Sequence, residues 1–210
     1  MVITIDEVNR LFAFPEVAQE FLPLLRFWHE ESNNIPIWQK FRLIVTHSTE
    51  RYIPLSLLHS PFNVGLALKL NEFNWDQIQE LANRYNLAKT VPTLKSEHLK
   101  SLTAIIGGHP YLLSLAFCHL VTKNSDVNQL IAESTTDSGI YRDYLRSFLV
   151  MFSQHPKLAD AFKQVINQEQ GVVLNSIIAS ELEGIGLTKL KGNESLPLCE
   201  LYSIYFRDRL

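Results

Sequence analysis

The chain has 210 residues, of which 46% are hydrophobic, 10% aromatic and 20% charged. A chain of this length and composition can bury a sizeable core in one or two domains, which excludes a disordered tail, a collagen-like chain and a small disulfide-stabilised protein. The formal net charge of −3 argues against a dedicated nucleic-acid-binding protein, because such proteins present a strongly basic surface.

Targeting and redox signals both indicate the cytoplasm. The N-terminus has no basic region followed by an apolar stretch, so no signal peptide is predicted. No apolar run reaches the roughly 18 residues needed to cross a bilayer. The two cysteines, Cys118 and Cys199, lie singly among apolar residues, as expected of reduced thiols, and Cys118 is predicted to be a core residue. We therefore expect a cytoplasmic protein with no membrane association.

The first third of the chain predicts a parallel α/β sheet. Three apolar runs, at Val2–Ile5, 42–46 and 64–70, are typical of strands buried on both faces. Between the first two, Pro15 is typical of a helix start. The apolar face predicted for this helix consists of Val17, Phe21, Leu24, Leu25 and Trp28. Strands that alternate with helices favour a parallel sheet.

The middle of the chain predicts helices. The apolar spacing places them at residues 75–86, 95–106, 110–121 and 139–152. Gly107-Gly108 separates the second helix from the third, and Pro110 begins the third.

The last part of the chain predicts two helices, a hairpin and a final helix. The helices are predicted at residues 157–167, 176–184 and 200–210, and a Gly192-Asn193 turn joins two short strands at 187–190 and 196–198. This order of elements is typical of a winged-helix module.

Polar side chains follow the first two predicted strands. Asp6-Glu7 ends the first strand, and His47-Ser48 follows the second. In open α/β sheets ligands collect at this edge, where an Asp can order the Mg²⁺ shell and an adjacent Glu can act as a general base. Each feature alone also fits a simpler interpretation: an acidic helix cap for the first and a strand-end turn for the second.

A third feature is the run Gly107-Gly108-His109-Pro110-Tyr111. Two glycines permit close backbone approach, and Pro110 starts a helix whose free N–H groups could face an anion or a base. The simpler interpretation is a turn between two helices.

Taken together, these segments resemble the bacterial AAA-like domain ATPases, relatives of the STAND group of signalling P-loop NTPases. The resemblance covers nearly the whole chain, and its segments are ITIDEVNRLF from Ile3, WQKFRLIVTHSTE from Trp38, SPFNVG from Ser60, GGHPYL from Gly107 and YFRDRL from Tyr205. It implies a Walker B segment in which Asp6 associates with Mg²⁺ and Glu7 is the catalytic base. It also implies that Ser48 or His47 senses the nucleotide and that Gly108 and Pro110 bind it.

The resemblance implies an α/β parallel sheet remnant of a P-loop core, followed by a helical lid and a winged-helix module, with mostly α structure overall. The expected boundaries are 1–72 for the core, 73–153 for the lid and 154–210 for the winged-helix module. The implied cofactor is ATP or ADP with Mg²⁺.

No Walker A motif, G-x-x-x-x-G-K-[ST], occurs between Met1 and Leu210. The sequence therefore predicts the C-terminal part of a nucleotide-dependent signalling switch that is inactive alone. Its expected partners are an N-terminal half or an effector domain, in cis or in trans, or a second copy. The alternative is a non-hydrolysing interaction module derived from such an ATPase.

Other chemistries have little support. The seven histidines show no H-x-x-x-H or Cys-paired spacing typical of zinc, and no G-x-S-x-G or S-x-x-K motif occurs. From residue 157 onward there are six Lys and Arg against seven Asp and Glu. The predicted helix 176–184 carries Glu181 and Glu183 and no cation. We therefore expect no nucleic-acid partner, because phosphate attraction dominates DNA affinity.

Overall fold

The computed structural model describes residues 1–47, 62, 64–123 and 126–210. It divides into two compact units, Met1–Leu70 and Asn71–Leu210. Within the described residues the structure is mainly helical, with one small parallel sheet and one small antiparallel sheet. The prediction of a mostly helical chain with a parallel sheet is confirmed at that level. No helix in this part of the chain combines the length and the apolar character that a membrane crossing requires.

The first unit contains a two-stranded parallel sheet and one long helix. Strands β1 (Val2–Ile5) and β2 (Arg42–Val45) pair from Val2↔Arg42 to Ile5↔Val45. The connection between them contains a 3-10 segment (Val8–Ala13), helix α1 (Pro15–Glu31) and a short 3-10 turn (Trp38–Lys40). A small core forms where α1 and the 3-10 segment meet the sheet, and its buried residues are Val8, Ala18, Leu22 and Leu25.

The sheet differs from the prediction of strands buried on both faces. Exposure alternates along both strands, and Val2 and Ile44 are more than half exposed. Ile5, Leu43 and Val45 pack toward the small core instead. The described elements cover one face of the sheet, so the β-branched residues on the other face remain in contact with solvent.

The prediction of a third strand at residues 64–70 is wrong. Gly65 lies in a bend, and residues 66–70 have no regular secondary structure. Leu66, Leu68 and Leu70 are 83%, 77% and 93% exposed. Alternating leucines predict a strand only where a neighbouring backbone supplies the ladder hydrogen bonds, and no described strand does so here.

The predicted apolar face of helix α1 is confirmed only in part. Leu25 is buried and Phe21 and Trp28 pack against the small core, as predicted. Val17 and Leu24 are instead 52% and 40% exposed, and the buried positions also include Ala18 and Leu22. The apolar residues of α1 therefore cover more than one face, and the sequence alone did not show where the buried face ends.

The second unit consists of nine helices and a hairpin within the described residues. The helices are α2 (Trp75–Arg84), α3 (Leu87–Thr90), α4 (Ser96–Ile106), α5 (Pro110–Lys123), α6 (Val127–Glu133), α7 (Arg142–Gln154), α8 (Pro156–Ile166), α9 (Ser176–Ile185) and α10 (Glu200–Arg207). The hairpin strands are β3 (Thr188–Lys191) and β4 (Glu194–Pro197). The predicted order of helix, helix, hairpin and helix is found in α8, α9, β3, β4 and α10.

Local sequence explains several of these boundaries. Asn74 caps α2 and exchanges hydrogen bonds with Gln77, a reciprocal pair that satisfies two free N–H groups at the helix start. Pro156 begins α8. The hairpin turn contains Gly192 at φ 64°, a left-handed conformation that favours glycine.

One hydrophobic core runs through the second unit. Its largest fully buried side chains include Phe117, Tyr141, Phe162, Tyr202 and Phe206. Cys199 lies in this core, but Cys118 is exposed, contrary to the prediction. The buried stripe of α5 contains Leu113, Phe117 and Leu120, and Cys118 falls on the opposite side of that helix.

The end of α10 is tied to the loop before α7 by a polar cluster around Asp137. Arg209 donates to one carboxylate oxygen at 3.1 Å, and the Tyr205 hydroxyl donates to the other at 3.1 Å. Arg146 lies 3.7 Å from the carboxylate, and the Arg209 guanidinium stacks over the Tyr205 ring at 4.1 Å. The hydrogen bonds from Arg209 and Tyr205 lower the pKa of Asp137.

Candidate functional site

The parallel register brings Asp6 and Thr46 together at the carboxyl ends of the strands. The ladder continues past the strands, since Thr46 N donates to Ile5 O at 2.9 Å and Val8 N donates to Thr46 O at 3.0 Å. The Thr46 hydroxyl donates to Asp6 Oδ1. Asp6 is the first residue after β1 and Thr46 is the first after β2, so the pairing Ile5↔Val45 continues directly to Asp6 and Thr46.

Glu7 occupies a special backbone conformation beside this pair. Its φ and ψ are 50° and 42°, a left-handed conformation that costs a residue with a side chain roughly 1–2 kcal/mol. Two acceptors face its N–H: Asp6 Oδ1 at 2.9 Å and Thr46 Oγ1 at 3.3 Å. These contacts hold the turn after β1 in a fixed shape.

The carboxylates of Asp6 and Glu7 therefore differ in how strongly hydrogen bonds within the chain hold them. Asp6 Oδ1 is engaged by its own chain, whereas Asp6 Oδ2 has no hydrogen bond within the described residues. The Glu7 side chain is 59% exposed, and Arg10 lies 3.6 Å from Oε2. An exposed carboxylate can contact a water molecule or a ligand without first losing a buried partner.

The donor set at this edge is compatible with Mg²⁺. The ion commonly takes one or two protein carboxylates and completes its octahedron with waters and substrate phosphates. Asp6 Oδ2, which has no hydrogen bond within the described residues, could act as one such ligand. No group of three or more His, Cys, Asp or Glu side chains with metal-binding geometry occurs in the part of the chain that the structure describes.

Of the two predicted sensor residues, His47 and Ser48, the structure describes only His47. His47 is exposed and lies edge-on to Phe62, with ring centroids 5.0 Å apart. Ser48 lies outside the described residues. Thr46, which was not among the predicted sensor residues, is the polar residue that contacts Asp6. Its position opposite Asp6 follows from a parallel pairing with an offset of 40 residues, for which the local sequence carries no signal.

The second predicted nucleotide-binding feature, Gly108 and Pro110, lies in the second unit. Gly107 has φ 65°, and Pro110 begins α5. Gly108 O accepts a hydrogen bond from Phe73 N at 2.8 Å. A Cβ on Gly108 would lie 2.1 Å from Phe73 O. The close approach at Gly108 is therefore made by the chain's own backbone.

His109 connects this turn to α7 and α10. Its Nε2 lies 3.3 Å from the Tyr144 hydroxyl, which in turn lies 3.0 Å from the Tyr202 hydroxyl. Burial lowers the pKa of His109 and raises the pKa of both tyrosines, so neutral forms are favoured at all three positions. Glu72 Oε1, which would meet a Cβ on Gly107 at 2.7 Å, is buried without a hydrogen bond in the described structure.

The predicted site residues therefore lie in two separate places. Asp6 and Glu7 lie with Thr46 at one edge of the parallel sheet, and Gly108 is packed against the backbone of Phe73. The catalytic and binding roles of these residues stay predictions.

The comparisons with known proteins give one family. No curated protein and no solved structure matches the chain. The family model for the AAA-like domain matches residues 1–208, nearly the whole length. The chain therefore belongs to the AAA-like domain family.

Proposed function

We propose that the chain carries the Walker B end of a STAND-type P-loop ATPase and acts as part of a nucleotide-dependent signalling switch. The observation that carries the proposal is the arrangement of Asp6, Glu7 and Thr46 at the carboxyl ends of two parallel strands. Ligands of open α/β sheets bind at this edge. Two adjacent exposed carboxylates there, of which Asp6 is held by hydrogen bonds and Glu7 is not, suit a division between metal binding and general-base chemistry.

In this proposal each residue has one role. Thr46 and the Glu7 N–H fix Asp6 through Oδ1, which leaves Oδ2 for the Mg²⁺ shell. When bound, Mg²⁺ neutralises charge that develops on the nucleotide phosphates. The Glu7 carboxylate orients the attacking water and accepts its proton, a contribution of typically 10²–10⁴-fold in rate. His47 and Ser48 remain the proposed sensors of the nucleotide.

The phosphate-binding loop is proposed to come from another segment, in cis or in trans, because the 210 residues contain no Walker A motif. Residues 73–153 would then act as the lid and residues 154–210 as a winged-helix module. The switch would control an effector domain, and self-association is a second proposed mode of assembly. Helix α9 carries Glu181 and Glu183 and no cation, so a partner protein fits this module better than nucleic acid.

A second candidate is a non-hydrolysing interaction module that kept the scaffold. The packing at Gly108 favours it, because the close approach there is already made by the Phe73 backbone. In that case Gly108 and Pro110 would have only a packing role. The two candidates differ in whether a Walker A segment accompanies the chain.

The discriminating test begins with the DNA immediately upstream of the gene. If it encodes G-x-x-x-x-G-K-[ST], that segment is produced with the chain, and binding and hydrolysis of Mg²⁺-ATP are measured for each part and for the two together. We expect activity only in the combination. Asp6→Asn should weaken Mg²⁺-dependent binding, and Glu7→Gln should preserve binding and slow hydrolysis. Glu16→Gln, an exposed carboxylate on α1, serves as the control.

Thr46 provides an independent check of the geometry. Thr46→Val removes the hydroxyl that contacts Asp6, so we expect faster amide exchange at Glu7 and weaker Mg²⁺-dependent binding. Thr46→Ser should restore both. Thr4→Val, on the exposed face of β1, is the matched control. Normal hydrolysis by Glu7→Gln, or the absence of any Walker A segment upstream, would favour the interaction module instead.

A further inference from the structure

Helix α1 carries a second stripe beside the face that it buries. Val17, Glu20, Leu24, Phe27 and Glu31 follow one another at spacings of three, four, three and four residues. Such spacing places side chains along one line of a helix, as in the seam of a coiled coil. We call this line the outer seam.

The apolar residues of the outer seam are accessible. Val17 is 52% exposed, Leu24 is 40% exposed and Phe27 is 52% exposed. They lie apart from Ala18, Leu22 and Leu25, which serve the core of the first unit. Contiguous exposed apolar side chains at helical spacing mark an interaction surface rather than a random surface composition.

The charges of the seam indicate the chemistry of its occupant. Glu20 is exposed and forms no ion pair within the described residues, whereas Glu30, off the seam, is paired with Arg26 at 2.7 Å. The Glu31 carboxylate accepts one long hydrogen bond within the described residues, from the Asn34 side chain at 3.5 Å. An apolar line that contains one carboxylate, Glu20, and ends in another, Glu31, is complementary to a helix with an apolar stripe and cations opposite those two positions.

We propose that the outer seam of α1 docks an amphipathic helix of a partner protein that carries Lys or Arg beside its apolar stripe. A second copy of the chain fits less well. Two α1 helices paired antiparallel about Leu24 would place Glu20 against Phe27 and Glu31 against Val17. Both carboxylates would then lose water without gaining a cation, which is unfavourable.

The test uses two labelled synthetic helical peptides, each about three heptads long, with the same leucine stripe and either Lys or Glu on its flanks. Binding to the full chain is followed by fluorescence anisotropy. We expect the Lys peptide to bind about three- to tenfold more tightly than the Glu peptide, because each exposed ion pair contributes a few-fold. Glu20→Lys combined with Glu31→Lys should reverse this preference.

The apolar part of the seam is tested separately. Leu24→Ser combined with Phe27→Ser should weaken binding of the Lys peptide at least about tenfold, because each side chain loses apolar area that the complex buries. Ile37→Ser, which alters a 74% exposed residue outside the seam, should leave binding unchanged. Circular dichroism of each variant establishes that it is folded.

Three results would overturn the proposal. The first is equal affinity for the Lys and Glu peptides, and the second is binding that Leu24→Ser with Phe27→Ser leaves unaltered. The third is a dimer, measured by light scattering, that dissociates when Phe27 is replaced by Ser, since that result would identify a second copy as the occupant.

Discussion

Gly108→Ala should destabilise the second unit strongly, although Gly108 does not have a positive φ. The reason is steric. A Cβ at this position would lie 2.1 Å from Phe73 O and 3.0 Å from Phe73 C and N. All three are backbone atoms, so no side-chain rotation can relieve the clash. The two segments would have to separate by more than about 1 Å to reach ordinary van der Waals contact.

The cost has two parts. Separation lengthens the hydrogen bond from Phe73 N to Gly108 O, now 2.8 Å, and loss of such a bond costs about 0.5–1.5 kcal/mol. Overpacking in a filled region costs about 1–3 kcal/mol. The sum is about 1.5–4.5 kcal/mol in the free energy of unfolding, which for a unit of this size lowers Tm by about 4–18 °C.

Thermal and urea unfolding followed by circular dichroism measure this change, because the second unit contains most of the helices. Gly192→Ala is the matched control: its φ is 64° and a Cβ there meets nothing within 4 Å, so only the backbone conformation costs energy, about 1 kcal/mol. If Gly108→Ala cost no more than Gly192→Ala, the packing argument would be refuted and a role for Gly108 in ligand approach would gain support.

Three further outcomes are expected. Arg209 lowers the pKa of Asp137, so the stability advantage of the wild type over Asp137→Asn should be present at pH 7 and disappear below about pH 4, measured by urea midpoints. Burial lowers the pKa of His109, so the unfolded chain binds protons more readily. Wild-type stability should therefore fall as pH drops through about 6.5, and His109→Gln should flatten that slope. At neutral pH a maleimide should label the exposed Cys118 quickly. It should label Cys199 only after unfolding, because burial shields this thiol and raises its pKa to about 12. Mass spectrometry identifies the labelled cysteine.

Much of the helical structure could be predicted because helix periodicity is local. Helices α4, α5, α8 and α9 begin and end within two residues of their predicted bounds. The hairpin was also predictable, since its Gly192-Asn193 turn is a short-range signal. Helix α6 was not predicted, because its seven residues contain too few repeats of the apolar pattern.

Properties that depend on neighbouring segments could not be obtained from a single sequence. The exposed leucines at 66–70 have the alternation of a strand, but a strand also requires a paired backbone. The contact between Asp6 and Thr46 depends on a register spanning 40 residues, which no local pattern specifies. Gly108 was selected as a nucleotide-binding residue, and its sequence gave no indication that Phe73 lies against it.

The aromatic packing of the first unit has a spectroscopic consequence. Trp28 and Trp38 are stacked, with centroids 5.9 Å apart and ring planes 20° from parallel, and Phe41 meets both rings edge-on. Indoles at this separation exchange excitation energy, which depolarises their emission, and the exchange stops when the rings part. Trp75, the remaining tryptophan, belongs to the second unit, and a Trp75→Phe variant leaves only the emission of the stacked pair. Fluorescence depolarisation therefore reports the integrity of residues 1–70 without an introduced label.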